Sequence, residues 1–265
     1  MPPAIDTTPS ANPRAFRIVS LTPDRPLHWL ALGWADLIRS PLPGLLHGLA
    51  AALFGAALIA LARDRFWLLA GAFSGFLLVA PLIATGLYAV SQGLETRQRI
   101  GIKGALAVWR SHDGRLVRFG LLLALAGTGW VLTSAALITA FAGAPVNSPA
   151  DFLRVVVLSD GSHVFEAWLI LGSVLAAPMF ASSVIAIPML LDRPHGVRTA
   201  VATSVGATLA NPVTMAVWAT LIVGLTLVGM ATLMIGLVVV VPWLAHASWH
   251  AYRDLVRPDD ATGAR

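Results

Sequence analysis

The chain has 265 residues, 57% of them hydrophobic and only 12% charged, with a mean hydropathy of +0.78. A soluble domain is usually about one quarter charged, so composition alone places the chain among membrane proteins. The net charge of +5 does not point to nucleic acid, because the basic residues flank apolar runs instead of gathering on one polar face. Cysteine is absent, which excludes disulfides, thiolate catalysis and cysteine metal sites.

Residues 1–26 are polar and proline-rich, without the apolar core of a signal peptide. They read as a disordered tail, which leaves the first span to act as an uncleaved anchor. No charge interrupts 66–94, 119–150, 167–191 or 199–252. A crossing helix needs about 20 apolar residues, so each run suffices for one span and the last for two. The predicted spans are 43–62, 66–91, 117–142, 164–191, 212–229 and 231–251. As one helix, 212–251 would be about 60 Å long against a core of about 30 Å, so a hairpin near Gly229 and Met230 is expected.

Charge sets the orientation. The segment before the first span, 95–118, 192–198 and the carboxyl tail hold 15 of the 18 basic residues, leaving Arg63, Arg65 and Arg154 for the other side. Both ends are then cytoplasmic in an inner membrane, and the number of spans is even.

A repeat underlies the pattern. Ala80-Pro81-Leu82-Ile83-Ala84, Ala177-Pro178-Met179-Phe180-Ala181 and Val241-Pro242-Trp243-Leu244-Ala245 are alike, and a leucine follows each proline thirteen residues later at Leu94, Leu191 and Leu255. A short amphipathic stretch precedes each hairpin: Leu27, Leu30, Trp34 and Ile38; then Ile102, Leu106 and Trp109; then Val197, Val201 and Val205. The expected fold is an all-α membrane protein of six transmembrane helices. They form three parallel helical hairpins (about 27–95, 99–192 and 195–256), each led by an interfacial helix on the cytoplasmic side, with 257–265 as a tail.

The spans suggest several roles. Gly44, Gly48, Ala52 and Ala56, and likewise Gly71 and Gly75, are spaced for close helix approach, within the bundle or between copies. Pro81, Pro178 and Pro242 each free a carbonyl and bend a helix, either around a central cavity or for curved packing. Thr85, Ser182 and His246 follow them by one turn and are the candidate cavity lining. His246 and His250 share one helix side, and His47 lies near the start of the first span. Intramembrane histidines are functional candidates: as a metal or haem pair, or as interfacial anchors and helix–helix hydrogen-bonding groups. The outer loop from Gly143 to His163 holds Asp151, Arg154, Asp160 and His163, and reads as solvated with a surface stretch at 149–157. Nucleotide loops, zinc motifs and hydrolase elbows are missing, which weakens an enzyme reading.

Gly33-Trp34-Ala35-Asp36-Leu37, Leu87-Tyr88-Ala89-Val90-Ser91, Pro188-Met189-Leu190-Leu191-Asp192-Arg193, Asn211-Pro212 and the block from His246 to Val256 together resemble a bacterial family of predicted integral membrane proteins of unknown function. The resemblance covers nearly everything from about residue 17 to 256. Some members are labelled putative cytochrome c oxidase subunits. The oxidase catalytic subunit has more spans and a larger dispersed set of ligand histidines than His47, His246 and His250. The resemblance therefore implies an inner-membrane location and a shared architecture, and no particular activity. Three functions stay open, in this order: a non-catalytic partner or assembly component of a membrane complex, embedded in lipid beside other subunits; a transporter or channel for a neutral or lipid-like solute; and a haem- or metal-binding protein linked to respiration.

Overall fold

The computed structural model describes residues 16–62, 66–72, 84–98, 100–110 and 114–259. Among the described residues the protein is all-α but for one short ribbon. In chain order the elements are β1 (Phe16–Ile18), α1 (Arg25–Arg39), α2 (Pro41–Ala62), α3 (Thr85–Glu95), α4 (Ile102–Arg110) and α5 (Gly114–Phe141). Then follow α6 (Val164–Ser183), α7 (Ala186–Asp192), α8 (Val197–Ala210), α9 (Pro212–Ala231), α10 (Leu237–Leu255) and β2 (Val256–Pro258). Residues 66–72 are helical as well, and a helical turn at Pro149–Asp151 runs into a π-helical stretch at Phe152–Val157.

Among the described residues, four helices are long and apolar enough to cross a membrane: Pro41–Ala60, Gly114–Phe141, Val164–Asp192 and Pro212–Ala231. The expected second span, 66–91, is described only at its two ends, and Pro81 and Gly75 lie outside the described residues. The expected sixth span corresponds to α10, whose first turns are aliphatic and whose second half carries His246, Ser248, His250, Arg253 and Asp254. That half is polar because it faces protein. α10 packs against α1, α2, α3, α7 and α9, and His246, Ala247, Trp249, Ala251 and Tyr252 are all fully buried.

Small residues let α10 sit so deep. A Cβ on Gly33 would lie 2.5 Å from the Ala247 backbone nitrogen, and one on Gly48 would strike the Val238 carbonyl. Gly44 and Gly48, singled out by their spacing, are thus turned toward α10, with Ala52 beside Met234 and Leu237. In this setting close approach replaces the hydrophobic drive that lipid cannot supply.

Several expectations change. Residues 16–26 are not a disordered tail. Phe16, Arg17 and Ile18 pair antiparallel with Pro258, Arg257 and Val256, and α1 begins at Arg25. The hairpin between α9 and α10 turns at 232–236, slightly after Gly229. The Thr232 hydroxyl donates to the Gly229 carbonyl and accepts from the Gly236 amide, both at 2.8 Å, while Leu233 and Met234 take positive φ angles of 54° and 69°. Gly229 still matters, because a Cβ on Gly236 would come within 2.9 Å of its Cα.

The break in the fourth span falls at 184–185, between α6 and α7, and not at Pro178 itself. Pro188 explains it: its ring cannot share a helix turn with the Val184 carbonyl. The Ser204 hydroxyl then fills the gap in the ladder. It donates to the Ala181 carbonyl at 2.6 Å and accepts from the Ile185 amide at 3.1 Å, which are the two groups a regular helix would have bonded to each other.

Candidate functional site

The polar groups of the bundle gather at one end, around the second half of α10. On α1, Trp29, Leu30, Gly33, Asp36 and Leu37 are buried, while Leu27, Trp34 and Ile38 stay exposed. The helix therefore carries two apolar stripes, one toward α10 and one outward. Leu30, grouped with the outward stripe from sequence, belongs to the inner one. Asp36 sits on the inner stripe and is only 4% exposed.

His250 of α10 meets that carboxylate, with Nε2 2.8 Å from Asp36 Oδ2. One turn earlier, His246 Nδ1 lies 2.8 Å from the Ser91 hydroxyl of α3, and Ser91 also hydrogen-bonds Asp36. The two histidines share a helix side yet turn to different helices. Burial alone would raise the Asp36 carboxyl. Its hydrogen bonds with His250 and Ser91 and the nearby imidazole charges outweigh that and hold it below the usual carboxylate range.

His47 binds the Pro43 carbonyl through Nδ1 at 2.7 Å, and its Nε2 would lie 3.2 Å from a Cβ on Gly86. His246 Nε2 is buried and has no hydrogen-bond partner among the described residues. It faces Gly44, where a Cβ would be 3.7 Å away. Of the candidate cavity lining, Thr85 is buried, Ser182 donates to the Met179 carbonyl of its own helix, and His246 takes Ser91. Among the described residues, no three His, Asp or Glu side chains are placed to hold one metal ion.

A second polar layer lies toward the ends of α3, α7 and α10. Asp192 accepts from Gln92 Nε2 at 2.8 Å and from the Tyr252 hydroxyl at 2.6 Å. Arg193 donates to Tyr252 at 2.9 Å, and Arg253 bridges Glu95 at 3.2 Å. Arg115 of α5 donates to the carbonyls of Leu190, Arg193 and His195 where α7 ends. Nearby, Asp254 accepts from Arg25, Trp29 and Arg257 at 2.8, 3.0 and 2.9 Å. These bonds overrule its burial and keep its carboxyl low.

Sequence reading missed Asp36 and Ser91 as partners, as well as the whole Asp192 layer. Asp36 did leave a trace: a carboxylate at i+7 from Trp29 and i+3 from Gly33, on a helix side that is otherwise apolar.

A family described as predicted integral membrane protein (DUF2189) matches residues 68–192. No curated protein and no solved structure matches the chain. The matched segment holds Ser91, Gln92, Glu95 and Asp192 but stops short of α1 and α10, so the site is assembled from inside and outside it. Over residues 68–192 the chain is similar to the predicted integral membrane proteins of DUF2189, a family of unknown function.

Proposed function

We infer that the protein is a non-catalytic partner or assembly component of a membrane complex. In this reading it crosses the inner membrane six times as three parallel hairpins, with both ends cytoplasmic. The observation that carries the functional part is how the buried polar groups are used. Asp36–His250, Ser91–His246 and the Asp192–Tyr252–Arg193 group each tie one helix or loop to another. Such groups act as clamps between the elements they join.

Two features support the topology. β1 precedes the first span, β2 follows the last, and they pair, which favours an even number of crossings. α1 and α8 each end in a single corner residue before a proline that opens the next helix. Ser40 has φ −138° and ψ 65°, and Asn211 has φ −134° and ψ 52°. Two matching corners in the first and third repeats favour a duplicated unit. α10 falls outside the apolarity of a typical span, but polar groups in a membrane helix are tolerated where protein covers them.

Reporter fusions after Leu61 and after Gly143 should both report the outer side; a cytoplasmic signal from either would end the six-span reading. For function, the protein purified in mild detergent is examined by oxidised-minus-reduced spectroscopy, metal analysis and quantitative mass spectrometry of copurifying subunits. A colourless preparation with a stoichiometric membrane-protein partner supports the partner reading. A stoichiometric haem or metal lost in His246→Ala replaces it with the haem- or metal-binding alternative. Solute flux in proteoliposomes without a partner would favour the transporter.

A further inference from the structure

The two matching corners differ in what covers them. At the third-repeat corner, Asn211 holds the chain's own residues. Its side chain donates to the Val19 carbonyl at 3.0 Å and accepts from the Leu21 amide at 2.7 Å, and Thr214 donates to the Leu21 carbonyl. At the first corner, by contrast, a hollow of about 370 Å³ opens between the start of α2, the end of α3 and the start of α4.

Leu42, Pro43, Val90, Leu94, Ile100 and Ile102 make most of its walls aliphatic, with the Ser40 hydroxyl at the corner. One cation, Arg39, stands among the lining residues. Its side chain is 69% exposed, and its acid neighbour Asp36 is 4.0 Å away and already bonded to His250. The hollow is continuous with an exposed apolar surface: Leu42 of its wall, Ile38 one turn before, and Leu46 one turn after are all open.

Among the described lining residues a soluble anion would find one guanidinium and the Ser40 hydroxyl on otherwise aliphatic walls, and a purely apolar ligand would leave Arg39 unused. An amphiphile suits both. We propose that the first corner binds one anionic phospholipid of the surrounding bilayer, its phosphate on Arg39 and the upper part of an acyl chain against Leu42, Leu94 and Ile102. The inference rests on α1 lying at the membrane surface, the reading given above. A net negative headgroup is preferred because an ethanolamine ammonium would partly cancel the phosphate that Arg39 attracts.

The test uses the full chain, delipidated in detergent and titrated separately with phosphatidylglycerol and phosphatidylethanolamine, with bound lipid counted by native mass spectrometry. One basic residue near a membrane surface corresponds to a preference of about fivefold. The wild type should show that preference for phosphatidylglycerol, and Arg39→Gln should lose it while keeping weak binding of both lipids. Gly101→Trp, at a position with no heavy atom of the described residues within 4 Å of its Cβ direction, should fill the hollow and abolish both. Gly143→Trp, equally open but in the outer loop, should bind as the wild type does. Equal binding of the two lipids by the wild type, or unchanged selectivity in Arg39→Gln, would overturn the proposal. So would full binding in Gly101→Trp. The readout is headgroup preference, so it is independent of the number of crossings and of any protein partner.

Discussion

The end of the bundle where α1, α3, α7 and α10 meet and the opposite end, around α5, α6 and residues 66–72, hold their helices by different means. The first has a large core containing Trp29, Trp218, Trp249, Leu87 and Tyr88, with buried carboxylates bonded across helices. The second has a small one, in which Ile138, Val146, Val156 and Val164 are buried and Phe66, Trp67, Phe152 and Trp168 pack beside them. Between the two, α5, α6 and α9 expose leucine, isoleucine and valine along most of their length. Where lipid surrounds a helix, burying aliphatic surface gains little, so the chain invests its specific contacts at the end that carries its polar groups. The first end should therefore dominate the stability of the whole.

Substitutions at the α1–α10 crossing should be the most damaging. Gly33→Val places a Cβ 2.5 Å from a backbone nitrogen that has no room to move. Overpacking of this kind costs about 3 kcal/mol, and the variant should lose its cooperative thermal transition in detergent. Gly71→Ala, whose Cβ would meet, among the described residues, the Val131 side-chain carbons at 3.6 and 3.9 Å, should unfold with the wild type. Equal sensitivity at the two sites would erase the contrast between the ends.

Asp36→Ala comes next. It leaves the His250 ring without its partner and removes one bond from Ser91, at about 2 kcal/mol. Ser204→Ala tests the stitched break between α6 and α7. It frees the Ala181 carbonyl and the Ile185 amide together, at about 1–2 kcal/mol. Hydrogen exchange should show the loss around 181–190 before the rest of the bundle opens.

These sites show what the sequence discloses and what it hides. Charge-free runs revealed most of the crossing helices because lipid forbids unpaired charge. The fourfold spacing of Gly44 and Gly48 revealed a close contact, although not that α10 makes it. His246 and His250 were visible as a pair on one helix side. Their partners Ser91 and Asp36 were not, because Asp36 is 214 residues from His250 and no local pattern encodes that meeting. The β1–β2 ribbon was equally hidden: three residues on each strand are too few to show alternation. The proline repeat put the bend of the fourth span at Pro178, whereas the break lies before Pro188, and only the folded chain brings Ser204 to it.

Acid should weaken the first end. Asp36 and Asp254 both have folded values below the usual one near 3.8. Their stabilisation is therefore complete above that value and is lost as pH falls through the lower folded values. Thermal stability should stay flat toward neutral pH as far as these two groups are concerned, and decline below about pH 4. Asp254→Asn should lower the plateau, since it weakens the bonds from Arg25, Trp29 and Arg257, and should make the acid decline shallower. A decline of unchanged steepness in that variant would assign the acid sensitivity to other groups.

The mildest effect is expected at the opposite end. Trp168 donates to the Ser134 hydroxyl at 2.6 Å and packs against Trp130 and Phe152. Trp168→Phe keeps an aromatic ring among those neighbours and removes the one hydrogen bond, at about 1 kcal/mol or less. Ser134 can still donate to the carbonyl one turn back, as Thr128 and Thr133 do on the same helix, which offsets part of the loss. The thermal transition should move only slightly, while tryptophan fluorescence reports the local change. A shift as large as that of Asp36→Ala would mean that the aromatic end clamps the bundle as firmly as the polar end does, and the asymmetry between them would no longer hold.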